Sequence, residues 1–176
     1  MIEKRQKVAV VMGSDSDFPI LKKCIIILKE FGIEYDVMVC SAHRTPDKVA
    51  DFAKSAETKG FSVIIAAAGK AAHLAGVLAA YTPLPVIGVP IKSSTMDGLD
   101  SLLSIVQMPS GIPVAAMAID GAENAALLAI QILSVADEEL RKKVKEYKQQ
   151  LASKVEEKNA ALREMVINEG LYDTRG

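Results

Sequence analysis

The sequence predicts an α/β fold, a single domain in which helices cover a parallel sheet. Three observations predict it. Short runs of β-branched and apolar residues alternate with longer segments of helical periodicity, as repeated βα units do. Half of the 176 residues are apolar, aromatic residues are few and tryptophan is absent, a composition suited to strands buried on both faces. A chain of this length closes one core and is too short for two full-sized domains.

In chain order, KVAVVM (7–12) reads as the first strand, followed by a helix over about 18–31 that ends at Gly32. EYDVMVC (34–40) is the second strand. Thr45 is expected to cap the helix after it, with Pro46 in the first turn, where its missing N–H costs nothing, and Asp47 at the positive end. That helix should reach about Lys59 and stop at Gly60. SVIIAA (62–67), a helix from His73 to Ala80, PVIGV (85–89), a helix from Leu99 to Val106 and PVAAMA (113–118) follow.

From about Gly121 the chain reads as two helices, the alanine-rich ENAALLAIQIL and a charged rod from Asp137 to about Val166. In the rod, Leu140, Val144, Tyr147, Leu151, Val155, Leu162 and Val166 fall mostly three, four or seven apart, which makes one apolar stripe. Thirty helical residues span ~45 Å, about the ~40 Å diameter of a domain this size. The rod is therefore expected to extend past its own domain and to bury its stripe against another copy of the chain. The alternative is that it folds back on its own domain. The last residues, INEGLYDTRG, are expected to be mobile.

Lys and Arg number 21 against 22 Asp and Glu, so no broad positive field exists to hold DNA or RNA. Any phosphate bound should be small and held locally. No segment resembles a signal peptide or the ~20 apolar residues of a membrane span, which makes a cytoplasmic protein the expectation. Cys24 and Cys40 fit no CxxC or metal-ligand spacing and read as packing residues, although Cys40 stands beside a polar loop. Without HExxH, clustered Cys and His, or a third histidine, metal catalysis is not expected. No GxSxG elbow supports a serine triad.

In open parallel sheets, ligands sit beyond the carboxyl ends of the strands. The first three strands lead into GSDSD (13–17), SAHRTP (41–46) and AAGKAAH, which ends at His73. The first loop brings exposed N–H groups and the hydroxyls of Ser14 and Ser16, suited to a phosphate or a ribose. Ser and Asp there serve equally well as caps of the first helix, and both roles can coexist. Both histidines of the chain, His43 and His73, fall in these loops. Arg44 offers a fork of donors for phosphate beside His43, whose imidazole suits proton transfer. A structural role stays open for each histidine: capping for His43, the start of a helix for His73. Further on, Ser110 and Gly111 sit in a loop that could close over a ligand in the same subunit or the next.

VMGSDSD (11–17), SAHRTPDK (41–48), AAH (71–73), LPVIGVP (84–90), DSLLSIVQMPSGIPV (100–114) and NAALLA (124–129) occur in order over roughly 7–135. Together they resemble the N5-carboxyaminoimidazole ribonucleotide mutase family. The resemblance implies a flavodoxin-like three-layer sandwich with a five-stranded parallel sheet in the order 2-1-3-4-5. It also implies a homo-octamer whose C-terminal helices embrace neighbouring subunits. Residues 1–135 would form the catalytic part and 136–176 the oligomerising arm of the same single domain. The implied reaction moves a carboxylate from an exocyclic nitrogen to a ring carbon of a small ribonucleotide, by way of trapped carbon dioxide, with no cofactor and no metal.

By the resemblance, His43 is the catalytic acid and base. Ser14, Asp17 and Arg44 bind the ligand, with Arg44 and the serine-rich loop near the ribose phosphate, and His73 lines the same pocket. Ser16, Ser41, Gly69, Lys70 and Leu74 complete the expected substrate contacts. Lys70 stands where many mutases have glycine and Ala75 where they have proline. A related class carboxylates free aminoimidazole ribonucleotide directly with carbon dioxide; retention of AAH favours the mutase. A flavin or nucleotide binding module without chemistry is the distant alternative, and it gives no reason for two histidines at neighbouring strand ends.

Overall fold

Side chains alternate between the two faces of a strand, and along KVAVVM both sets are apolar. The computed structural model, which describes residues 7–171, buries both. Val8, Val10 and Met12 enter one core, and Ala9 and Val11 the other. This strand, β1 (Lys7–Met12), lies inside a sheet with β2 (Glu34–Val39), β3 (Phe61–Gly69), β4 (Val86–Ile91) and β5 (Ala115–Ala116). All neighbours pair in parallel, in the order β2-β1-β3-β4-β5. The expected flavodoxin-like α/β sandwich is the observed architecture.

The first core lies under α1 (Phe18–Glu30), α5 (Ala122–Ser134) and the start of α6 (Glu138–Asn168); the second lies under α2 (Pro46–Ser55) and α3 (Leu74–Tyr81). The remaining helix, α4 (Leu99–Val106), packs on β4. Gly88 permits that approach: a Cβ there would lie 2.5 Å from Ile105 Cγ2.

Two boundaries differ from the sequence reading. That reading places the fifth strand over 113–118, but only Ala115–Ala116 forms a ladder. Met117 N–H still reaches the Gly88 carbonyl at 2.9 Å. The next β4 residue in that bonding register is Pro90, which has no N–H to donate, so the ladder stops. Helix α2 ends at Ser55, short of Lys59, and the Ser55 hydroxyl donates to the Asp51 carbonyl at 2.7 Å. Residues 56–60 form turns, and Phe61 N–H closes on the Ala56 carbonyl at 3.1 Å.

The C-terminal segment is two helices, in agreement with the sequence reading. Asp137 caps the second by accepting Leu140 N–H at 2.9 Å. With 31 residues, α6 is roughly 46 Å long. Its first turns lie on the domain: Leu140 is buried, Val144 and Tyr147 pack on the first core, and the Tyr147 ring meets Phe31 edge-on at 5.6 Å. Beyond them Leu151, Val155 and Leu162 are 45%, 62% and 57% exposed. The stripe is thus covered by its own domain only near its start. Of the terminal segment expected to be mobile, Ile167 and Asn168 are the last residues of α6, and 172–176 lie outside the described residues.

Candidate active site

The strand order turns between β1 and β3, and the carboxyl ends of parallel strands share one edge. The loops after β1, β2, β3 and β4 therefore converge on one crevice. It has a volume of about 480 Å³, within the range of small-molecule sites. Ser14, Ser16, Asp17, Ser41, His43, Arg44, Gly69, Lys70, His73 and Leu74, the site residues expected from the sequence, all line it. Ser110 and Gly111 do not line this cleft.

The loop after β1 tightens into a 3-10 turn over Asp15–Asp17 that runs into α1. Ser14 Oγ accepts Ser16 N–H at 3.3 Å and the Ser16 hydroxyl at 2.8 Å. Ser14 thus caps the 3-10 turn and lines the cleft, whereas Asp17, at the N-cap of α1, makes no capping hydrogen bond of the kind expected. Asp17 is buried, and desolvation raises its carboxyl above the usual aspartate range. Hydrogen bonds from the loop oppose that rise, while Asp15 and Asp120 add to it.

Between β2 and α2, Thr45 holds the chain in an unexpected way. It occupies the N-cap position of α2, but its side chain makes no capping hydrogen bond. Its Oγ1 accepts Ser41 N–H at 3.1 Å and donates to the Ser41 carbonyl at 3.0 Å. The expected cap is instead a clasp that closes the loop carrying His43 and Arg44. Arg44 Nη2 donates to the Gly13 carbonyl at 3.0 Å and Nε to Ser41 Oγ at 3.4 Å, tying the first two loops together.

The loop after β3 brings His73 to the N-cap of α3, where its side chain does not cap the helix. Its Nδ1 lies 3.3 Å from the Ala71 carbonyl oxygen, and its ring meets that of His43 with centroids 3.8 Å apart. Among the described residues, His43 has no hydrogen-bond partner, so its ring nitrogens remain open to a ligand.

Ile91, the last residue of β4, and Lys92 directly after it also line the cleft and escaped the sequence reading. The signal was available: β4 neighbours β3, so the residues directly after VIGVP had to reach the same edge. Lys92 pairs with Asp97 at 3.1 Å, and its N–H is held by Asp120 at 2.9 Å. Neither cysteine lines the cleft. Both are buried, and burial pushes the Cys24 thiol up to about 12.

A doubly wound parallel sheet with histidines, hydroxyls and an arginine in its switch-point cleft defines a small-molecule α/β enzyme. The sequence model of the AIR carboxylase family matches residues 7–154, and the chain belongs to that family. It is 55% identical to the N5-carboxyaminoimidazole ribonucleotide mutase of Pyrococcus horikoshii, over 94% of this chain and 93% of that one. With the mutase of Thermotoga maritima the identity is 53%, over 94% and 96% of the two chains. The crystal structure of Treponema denticola PurE superposes with a TM-score of 0.82 at 34% identity, covering 90% of this chain and 99% of that one.

Proposed function

We propose that the chain converts N5-carboxyaminoimidazole ribonucleotide to 4-carboxy-5-aminoimidazole ribonucleotide in de novo purine biosynthesis, as an isomerase that transfers a carboxylate. The similarity to mutases from two organisms over nearly the whole chain supports this reading. The observation that carries it is the single cleft in which an exposed imidazole, His43, stands beside Arg44 and the serine loop.

His43, as imidazolium, gives its proton to the exocyclic nitrogen while the carbamate N–C bond breaks, leaving carbon dioxide and the free amine. The ring carbon then attacks the carbon dioxide and forms the new C–C bond. The neutral imidazole takes the proton from that ring carbon, so no net proton is consumed. Arg44 with Ser14 and Ser16 anchors the phosphate, Asp17 and Ser41 bind the ribose side, and His73 backs His43. Ala68, Gly69, Ala71 and Leu74 give the cleft a wall of small and apolar residues; holding the gas against such a wall beneath the bound ring favours recapture over escape.

The exposed half of α6 supports assembly with further copies, an octamer by the family resemblance, and the expected setting is the cytoplasm. The deciding experiment supplies the purified protein with each candidate substrate in turn. Turnover of N5-carboxyaminoimidazole ribonucleotide is expected. Activity only on free aminoimidazole ribonucleotide with bicarbonate would make it a direct carboxylase.

A further inference from the structure

We infer that Lys70 is the specificity-determining residue for the carboxylate end of the substrate, an inference that rests on the mutase reading above. Lys70 lines the cleft with a backbone φ of +57°. Asp97 and Asp120 are the other non-glycine residues at positive φ among the described residues. Aspartate tolerates this region because its short side chain bonds locally; lysine gains nothing comparable, and glycine would take the position without strain. A strained residue that persists at a ligand cleft points to a use for its side chain.

The charge around Lys70 says what that use is. Lys92 is paired with Asp97, and Arg44 is bonded to Gly13 and Ser41. The Lys70 carbonyl accepts Ala72 N–H at 2.8 Å, but among the described residues its ammonium has no hydrogen-bond or ion-pair partner. That ammonium therefore lacks a counter-charge, as does the Arg44 guanidinium, whose partners are neutral; phosphate takes Arg44, and a ligand carboxylate supplies the counter-charge for Lys70. The substrate is anionic at two ends, phosphate and carboxylate. Arg44 follows β2 and leans over β1, whereas Lys70 follows β3. Strands lie ~4.8 Å apart, so loops two strands apart are separated by roughly 10 Å. The touching rings of His43 and His73 bridge those two loops. Phosphate on the Arg44 side places the ring at the histidines and the carboxylate toward Lys70.

Binding separates this from a general attraction for anions. Dissociation constants are measured by calorimetry for 4-carboxy-5-aminoimidazole ribonucleotide and for 5-aminoimidazole ribonucleotide, which lacks the carboxylate. Wild type, Lys70→Gly, Lys70→Arg and Lys92→Met are compared. Loss of one charge-assisted contact should weaken the carboxylated ligand about tenfold or more in Lys70→Gly. The decarboxylated ligand should stay within about twofold, since it lacks the group that Lys70 meets. Lys70→Arg should keep the preference, and Lys92→Met should not change it. The melting temperature of Lys70→Gly should rise, because the strain is gone while the fold remains. Equal weakening of both ligands, or none, overturns the proposal. A wild type that binds neither ribonucleotide removes the substrate assignment itself, and the role of Lys70 falls with it.

Discussion

The imidazoles of His43 and His73 lie in contact, their centroids 3.8 Å apart and their planes inclined by 45°. One ring comes from the loop after β2 and the other from the loop after β3, so the contact brings the two loops together at the cleft. His43 is exposed and bears little of the fold. His43→Asn should therefore melt as wild type does while kcat falls by about 10²-fold to 10⁴-fold, the usual contribution of a positioned acid and base. His73→Leu leaves the proton carrier in place but removes its ring support. It should lower kcat about tenfold with a smaller change in KM, as misorientation of a reacting group does. Steady-state kinetics beside thermal melts checks both; a His43→Asn enzyme with near-normal kcat would remove the proposed acid and base.

Asp17 should trade stability against activity. Burial raises its carboxyl above the usual range, so the folded state binds the proton more tightly than the unfolded chain. Its stabilising contribution is complete below the unfolded carboxylate range and is lost as pH rises through the folded value. An asparagine side chain has no such titration. Asp17→Asn should therefore gain on wild type more at about pH 8 than at about pH 3, the second point lying below the ordinary aspartate value. Urea midpoints at the two pH values measure this, and an equal difference at both contradicts the burial argument. Turnover should fall as the ribose contact is lost.

The Thr45 clasp on Ser41 makes a third expectation. Thr45→Val keeps the shape but removes the hydroxyl that serves both the N–H and the carbonyl of Ser41. It should cost about 0.5–1.5 kcal/mol, the net worth of a hydrogen bond whose groups water can reach, and should lower kcat/KM because His43 and Arg44 lie within the closed loop. Thr45→Ser should restore both. Denaturant unfolding and kinetics on the same preparations decide it; a Thr45→Val enzyme of normal stability and rate would show the clasp to be dispensable.

What the sequence made legible follows from local pattern. The apolar run of β1 and the polar loops after β1, β2 and β3 depend only on residues near one another, and both were readable. The end of β5 was not, because it depends on an N–H missing from Pro90 on the neighbouring strand. Thr45 met the local rule for a cap, yet its hydroxyl found a nearer use four residues back. Lys92 was overlooked because its loop, KSSTMDG, has hydroxyls and a glycine but no histidine to mark it; only the strand order places it in the cleft. The positive φ of Lys70 has no sequence signature other than a lysine where glycine would be expected by resemblance.

The arm gives the last expectation. Leu140, Val144 and Tyr147 are satisfied by their own domain, whereas Val155 and Leu162, seven residues apart and so on one face of α6, are mostly exposed. An apolar stripe that ends half-covered needs a second surface, and for a single kind of chain that surface is another copy. Val155→Glu combined with Leu162→Glu places charges on the stripe without touching either core. Light scattering should then report a smaller assembly than wild type. The far-UV circular dichroism should be unchanged, because both sites are solvent-facing in the single chain. A wild type that is monomeric, or a double variant that assembles as wild type does, would mean that the outer half of α6 joins no copies together.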